Sequence, residues 1–386
     1  YVTEVEDLDE ELPVFADAFK AVMKPGTGRA LFSRLSLDRS LNQLVSLIAS
    51  EGEQPALMLL KAQVLGLKEL EEEAEKETTE SKDKTAQAPK AESKSAALLN
   101  QILQRWPNYA PAYLVYANYK FSPGYDGEPR IKALKRYAEL RPMDPRPWQW
   151  MAEELKLMKR DAEAEPFYLE AAKREPNNYG RQTTLVIYYV AQNQLAKAQN
   201  SLLEAYKIAG SPDIVFADLE EQTEEVEKEE SARYESLLRT QAEIIAKNKH
   251  GWHLLANMQN AQGNLAGALK SMQQTLSLEP DESDYSSIAY YHNQLKQPQA
   301  ALEAAEQAIK LNEEYLPPYI QQFYAYMQLK RYTNALTTLE KIEELSPGYL
   351  AEDNFAEEDL KPIAAMPQFK ALLEKSKKAA AEEQAK

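Results

Sequence analysis

Cysteine is absent from the 386 residues, which removes disulfides, thiolate metal sites and thiol nucleophiles together and leaves imidazoles and carboxylates as the side-chain donors for metal or acid–base chemistry. Basic residues are in deficit: 45 Lys and Arg stand against 61 Asp and Glu, a net charge of −16. Phosphate backbones are held by clustered basic side chains, so nucleic acid is not an expected partner. No stretch reaches the ~18 consecutive apolar residues needed to span a bilayer, so no transmembrane segment is read in this chain. Glycine numbers 12 and β-branched runs are rare, which leaves the helix as the favoured local structure. The expected class is all-α. Position 1 is Tyr1 rather than Met, read as a leader removed or omitted, and this tilts the expected location toward an exported, periplasmic setting over a cytoplasmic one.

What is present is a period. Tyr113, Trp148, Trp252, Tyr285 and Tyr319 are separated by 35, 104, 33 and 34 residues, and 104 is three periods of about 35. Sixteen residues beyond Trp148, Gln182, Trp252, Tyr285 and Tyr319 stand Ala164, Ala198, Ala268, Ala301 and Ala335. Four further on come Tyr168, Leu202, Met272, Ala305 and Leu339, then Ala171, Ala205, Thr275, Ala308 and Ile342. Each unit ends near a helix breaker or turn former, among them Pro176, Gly210, Pro280 and Pro347. Small residues at fixed phase let helices approach closely, while the aromatics fill the groove between successive pairs.

The pattern resembles the tetratricopeptide repeat family over roughly residues 55–347. Trp252, Leu255, Ala256, Gly263, Ala268, Met272 and Pro280 form the closest copy of the family motif. The unit from Gln182 lacks the aromatic anchor, and Ala117, Ala152, Val186, Ala256, Ala289 and Phe323 replace the family's early glycine, with Phe323 expected to splay its helix pair. The resemblance implies a right-handed superhelical solenoid of about eight helix pairs, with capping helices at both ends. Residues 1–54 are read as an acidic N-terminal segment and cap, with Leu37, Leu41, Leu44, Val45 and Ile48 on the covering face. Residues 348–386 are read as a C-terminal cap built on Leu360, Ile363, Phe369, Leu372 and Leu373, followed by a Lys/Ala/Glu tail. Within the array, residues 213–250 are a degenerate repeat with an acidic first helix or loop. The string from Phe121 to Pro129 lengthens one inter-helix loop.

Residues 71–95 contain no aromatic or β-branched aliphatic side chain and are expected to form a charged, flexible insertion that cannot repay the entropy of ordering. A tolerated surface insertion is preferred for it over a partner-docking arm.

Catalytic machinery is not expected. His250 and His253 stand three apart, a spacing that can place two imidazoles on one helical face, but HExxH is absent and no third ligand is marked in sequence. No metal site and no cofactor are therefore expected. The stretch from Lys24 to Arg29 lacks the P-loop pattern and reads as a turn. Carboxylates are too numerous for any pair to be singled out as catalytic.

The resemblance assigns the fifth, ninth and twelfth positions of each first helix to a concave groove. These are Gln149, Glu153 and Lys156; His253, Asn257 and Asn260; Ser286, Tyr290 and Asn293; Ile320, Tyr324 and Met327; and, earlier, Asn118. A groove of amides and phenols suits the backbone of an extended or helical peptide better than a terminal carboxylate, for which only Lys156 is placed. The implied function is a non-enzymatic scaffold for a partner protein or peptide, with a periplasmic assembly or secretion factor as one setting. The alternative is a small-ligand or glycan receptor using the same polar groove. The oligomeric state is left open.

Overall fold

The computed structural model describes residues 34–79, 93–118, 127–352 and 354–384. Every regular element among them is helical. Two compact units divide the chain, residues 1–170 and 171–386.

In the first unit, α1 (Arg34–Glu51) packs on α2 (Pro55–Thr79), which pairs with α3 (Lys94–Arg105). The sequence α4 (Ala110–Asn118), α5 (Glu128–Leu140) and α6 (Arg146–Leu157) continues the antiparallel stacking. Met58, Leu59, Ala62, Leu98, Leu99 and Ile102 are buried together, with Ile48 of α1 packed against them. That is the covering role expected of the first helix, except that Val45, assigned to the same face, is 47% exposed. The acidic segment and the turn expected within residues 1–33 lie outside the described residues.

The segment expected to be a flexible insertion begins as helix. α2 runs on to Thr79, nine residues past Leu70, because Glu, Lys and Ala are good helix formers even without a face to bury. Its Glu69 carboxylate accepts from the Lys94 N–H at 2.7 Å and from the Ser95 hydroxyl at 2.5 Å, and Ser93 caps α3 by accepting from the Ala96 N–H at 3.0 Å. The body of α2 is thus tied, at Glu69, to the start of α3. Residues 80–92, and 119–126 of the expected long loop, lie outside the described residues. The loop ends where Pro129 sits in the first turn of α5.

α7 (Glu165–Arg174) lies at the boundary between the units. The second unit contains α8 (Tyr179–Ala191), α9 (Leu195–Ala209), α10 (Pro212–Gln222), α11 (Lys228–Arg239), the one-turn α12 (Ala242–Ile245), α13 (Lys249–Ala261), α14 (Leu265–Thr275), α15 (Glu282–Gln294), α16 (Pro298–Leu311), α17 (Pro317–Gln328) and α18 (Tyr332–Leu345). First helices pack on their partners, and among the first helices α10 packs on α13 and α15 on α17. The small-residue phase has its predicted role: Ala164, Ala198, Ala268, Ala301 and Ala335 are all 0% exposed. The degenerate stretch is two helices and a short turn of helix. α10 carries the acidic run as far as Gln222, and Val215, Phe216, Leu219, Tyr234, Leu237, Leu238 and Ile245 supply its core.

The same turn recurs in five helix pairs among the described residues. Eleven residues after each anchor position, Lys159, Asn193, Gly263, Lys296 and Lys330 take the left-handed conformation, with φ between 55° and 79°. The following N–H then reaches back five residues: Arg160 to the Leu155 carbonyl at 2.8 Å, Gln194 to Tyr189 at 2.7 Å, Asn264 to Gln259 at 2.8 Å, Gln297 to His292 at 2.9 Å and Arg331 to Tyr326 at 2.9 Å. This is the Schellman stop, which satisfies the last carbonyls of each first helix and turns the chain into the second.

The C-terminal end closes on a buried carboxylate. After α18 comes a 3₁₀ turn (Tyr349–Ala351), then α19 (Glu357–Leu360) and α20 (Pro367–Gln384). Leu350, Phe355, Ile363, Phe369 and Leu372 cover the last pair, as the sequence leads one to expect of a cap. Phe323, at the early-glycine position, is fully buried with its ring centroid 4.9 Å from that of Phe355; its bulk is taken up by the cap. Glu343, 5% exposed, accepts from the Gly348 N–H at 3.0 Å, the Leu350 N–H at 2.6 Å and the Ser376 hydroxyl at 2.8 Å. Gly348 has φ +95, and a Cβ there would lie 3.2 Å from the Ala380 backbone, so only glycine fits between the last repeat and α20.

Candidate functional site

The densest polar cluster in the second unit is built from three helices that lie far apart in sequence. α13 opens with Lys249 and His250 and puts His253 one turn on, so both imidazoles share a face. Their rings meet edge to face, with centroids 5.6 Å apart. α10 brings Glu220 against them because α10 packs directly on α13. His250 Nδ1 lies 3.1 Å from Glu220 Oε2, and His253 Nδ1 lies 3.6 Å from Glu220 Oε1. Asn257, a further turn along, donates to Glu220 Oε1 at 3.3 Å.

α15 supplies the remaining wall. Asp281 caps it by accepting from the Ser283 and Asp284 N–H groups, and Asp284 answers by accepting from the Asp281 N–H at 2.9 Å. This capping box fixes the Asp284 carboxylate, which is 0% exposed. Its Oδ1 accepts from His253 Nε2 at 2.6 Å, and its Oδ2 lies 2.8 Å from Lys249 Nζ, which also pairs with Asp281.

The electrostatics follow from this packing. Burial favours neutral His253, but the Asp284 and Glu220 carboxylates outweigh it and push the imidazolium up to about 9. Burial likewise favours protonated Glu220 and Asp284, and here the hydrogen bonds from the histidines, with Lys249 on Asp284, hold both carboxyls below their ordinary values. The cluster is charged and partly open: the His250 and Glu220 side chains are 38% and 26% exposed.

Glu220, His250 and His253 can each turn one donor atom to a common point, with these atoms within 4.8 Å of one another. The sequence marks no third donor beside the histidine pair, and the fold brings one there. The third donor stands thirty residues upstream, inside an acidic run that reads in sequence as a solvated face.

The tetratricopeptide repeat family matches residues 285–315 and 324–349, which span most of α15 with α16, and the end of α17 with α18. These two stretches are tetratricopeptide repeats. The chain's helices, paired in the manner of such repeats, resemble several solved structures at low identity. One is the APC/C hetero-tetramer Cut9–Hcn1, with 13% identity, a TM-score of 0.34 and coverage of 88% of this chain and 59% of that one. The chain therefore spans less than two thirds of that relative's length. Others are yeast Tom70, with 15% identity, a TM-score of 0.34 and coverage of 98% and 87%, and YrrB, described as a TPR protein with an unusual peptide-binding site, with 13% identity, a TM-score of 0.31 and coverage of 54% and 90%. No curated protein matches the sequence.

Within the tetratricopeptide repeats the positions assigned to the groove behave differently from one another. Asn257 is exposed, and Asn260, Tyr290 and Tyr324 are half-buried. Ser286 and Asn293 are buried, 6% and 3% exposed. Asn293 is a clasp between repeats: its amide donates to the Gln321 carbonyl at 2.8 Å, and Gln328 donates back to Asn293 Oδ1 at 3.3 Å. It is thus engaged inside the protein rather than presented to a ligand. Ile320, Tyr324 and Met327 pack against the C-terminal core, and burial with the neighbouring Asp359 carboxylate pushes the Tyr324 phenol up to about 12. In the first unit Gln149 donates to the exposed Glu153 at 2.8 Å, and Lys156 is exposed. Asn118 ends α4. No helix among the described residues is long and apolar enough to cross a membrane.

Proposed function

We propose that this protein is a non-catalytic scaffold that holds a partner protein or peptide on the face carried by the first helices of its second unit. Tetratricopeptide repeats typically mediate contacts between proteins and are usually without catalysis. The observation that carries the proposal is the row of uncharged hydrogen-bonding and aromatic side chains still accessible on successive first helices: Asn257 and Asn260 on α13, then Tyr290 on α15 and Tyr324 on α17. Amides can pair with the peptide groups of a bound backbone, and half-buried tyrosines offer apolar area with a polar tip at little entropic cost.

The test combines capture with reconstitution. A protein retained from native extract is identified, purified, and its affinity measured for wild type and for Asn260→Glu with Tyr290→Glu, a pair that leaves the histidine cluster intact. The expected result is binding weakened by about tenfold or more with helicity unchanged. Equal affinity would move the contact surface elsewhere. Absence of any protein partner, together with melting shifted by a sugar or small ligand, would favour the receptor reading instead.

A further inference from the structure

We propose that Glu220, His250 and His253 form a binding site for a divalent transition-metal ion of the zinc class, with Asp284 as the group that orients His253. The inference stands on geometry and is independent of any partner on the repeat face.

Donor type is the first argument. Two imidazoles and one carboxylate are the set that borderline cations such as Zn²⁺ take up, whereas hard cations such as Mg²⁺ require oxygen ligands. Spacing is the second. A tetrahedral ion with bonds of about 2.0–2.1 Å separates its ligands by about 3.3 Å, and the two imidazole-to-carboxylate separations, 3.1 Å and 3.6 Å, bracket that value. One donor atom from each of the three residues lies within 4.8 Å of the other two, and side-chain rotation has to close that spread to seat an ion. The helices themselves are already held by the packing of α10 on α13.

Orientation is the third argument and the most specific. A metal-bound histidine usually gives its other ring N–H to a carboxylate, which fixes its tautomer and aims the lone pair. Asp284, fully buried and fixed by the capping box of α15, occupies that place behind His253 at 2.6 Å. A cation arriving between His253 and Glu220 displaces the Nδ1 proton of His253, while Nε2–H stays committed to Asp284, and the ring then turns its Nδ1 lone pair toward Glu220. Two acceptors then face each other across the gap that the cation fills. The neighbouring Lys249 does not oppose this, because its charge is matched by Asp281 and Asp284. His250 and Glu220 remain partly open to solvent, so a fourth position is left for water, as in sites with three protein ligands. A bound ion would pin the degenerate stretch containing α10 to the repeat that begins with α13.

The experiment is calorimetric titration of the tag-free full chain with ZnCl₂, with CoCl₂ absorption as a report on coordination geometry and MgCl₂ as the hard-cation control. Wild type is expected to bind one zinc ion per chain and to give the intense visible bands of tetrahedral cobalt. Glu220→Gln and His250→Gln should each weaken zinc by about tenfold or more. His250 is exposed enough that its substitution should leave the circular dichroism spectrum unchanged, so the proposal stays testable even if Glu220→Gln perturbs folding. Three results would overturn it: no saturable one-to-one binding, zinc affinity unchanged in His250→Gln, or magnesium binding as tightly as zinc. Weak multiple binding shared by all variants would point to the many surface carboxylates and would equally overturn it.

Discussion

Replacing Glu343 tests whether the buried carboxylate holds the C-terminal cap. In Glu343→Ala the N–H groups of Gly348 and Leu350 lose their acceptor inside a site where Glu343 is 5% exposed and Ser376 is 0% exposed. Each buried donor left without a partner costs about 1–3 kcal/mol. The Ser376 hydroxyl also loses its 2.8 Å bond, although it still accepts from the Ala351 N–H at 3.0 Å and can rotate its own proton. Counting the two amides in full and the hydroxyl in part gives about 3–5 kcal/mol for local opening of the cap. Glu343→Gln should be milder, about 1–2 kcal/mol, since the amide oxygen can keep Leu350 and Ser376 while its NH₂ faces the Gly348 N–H. A repeat protein need not unfold in one step, so the assay is hydrogen exchange across residues 347–380. Exchange there should accelerate by about 10²- to 10⁴-fold in the alanine variant, while α8 and α9 exchange as in wild type. Exchange unchanged at the cap, or a glutamine variant worse than the alanine variant, would refute the reasoning.

Three further outcomes follow from the packing. Phe323→Ala empties a fully buried site against Phe355 and should cost about 3–5 kcal/mol in denaturant unfolding of the last repeats. Gly263→Ala meets no atom within 4 Å but must hold φ +79, so it should destabilise by about 1 kcal/mol, whereas Lys330→Gly at φ 58 should stabilise by about 0.5–1 kcal/mol in melting experiments; effects of the same sign would contradict the Schellman assignment. Burial opposes ionisation of Asp144, but bonds from Arg146 and from Tyr137 at 2.7 Å outweigh it and hold its carboxyl below the ordinary value. Its contribution is therefore complete above about pH 5 and lost as pH falls through the lowered pKa, so the advantage of wild type over Asp144→Asn should be flat near neutrality and shrink below about pH 4.

Legibility in the sequence tracks how local the physical cause is. The helix pairs are readable because close approach of antiparallel helices requires a small residue at one fixed phase, and Ala198, Ala268, Ala301 and Ala335 carry it whatever surrounds them. The left-handed stop at the eleventh residue is not readable: four of its five occupants are Lys or Asn, which accept a penalty of about 1–2 kcal/mol that packing on both sides outweighs. The extension of α2 to Thr79 escapes a reading based on burial, because absence of apolar residues argues against a buried face and not against helix. At the groove, phase alone places Asn257 and Tyr290 on an accessible face but does not separate them from Asn293, whose partner Gln321 lies 28 residues further on.

The histidine cluster fails to appear in sequence for the same reason. His250 and His253 announce a shared face through their spacing, yet Glu220 meets His250 from 30 residues upstream and Asp284 meets His253 from 31 residues downstream. That separation is close to one repeat. In a stacked array the first helix of each unit meets the first helices before and after it, so a polar group at one phase finds its partners about one period upstream and one period downstream. A search for polar side chains offset by a period, rather than by a helical turn, pairs His253 with both carboxylates from the residue numbers alone. The same offset search pairs Asn293 with Gln328, 35 residues on, and removes it from the groove, which leaves Asn257, Asn260, Tyr290 and Tyr324 as the side chains on which the partner-binding proposal stands.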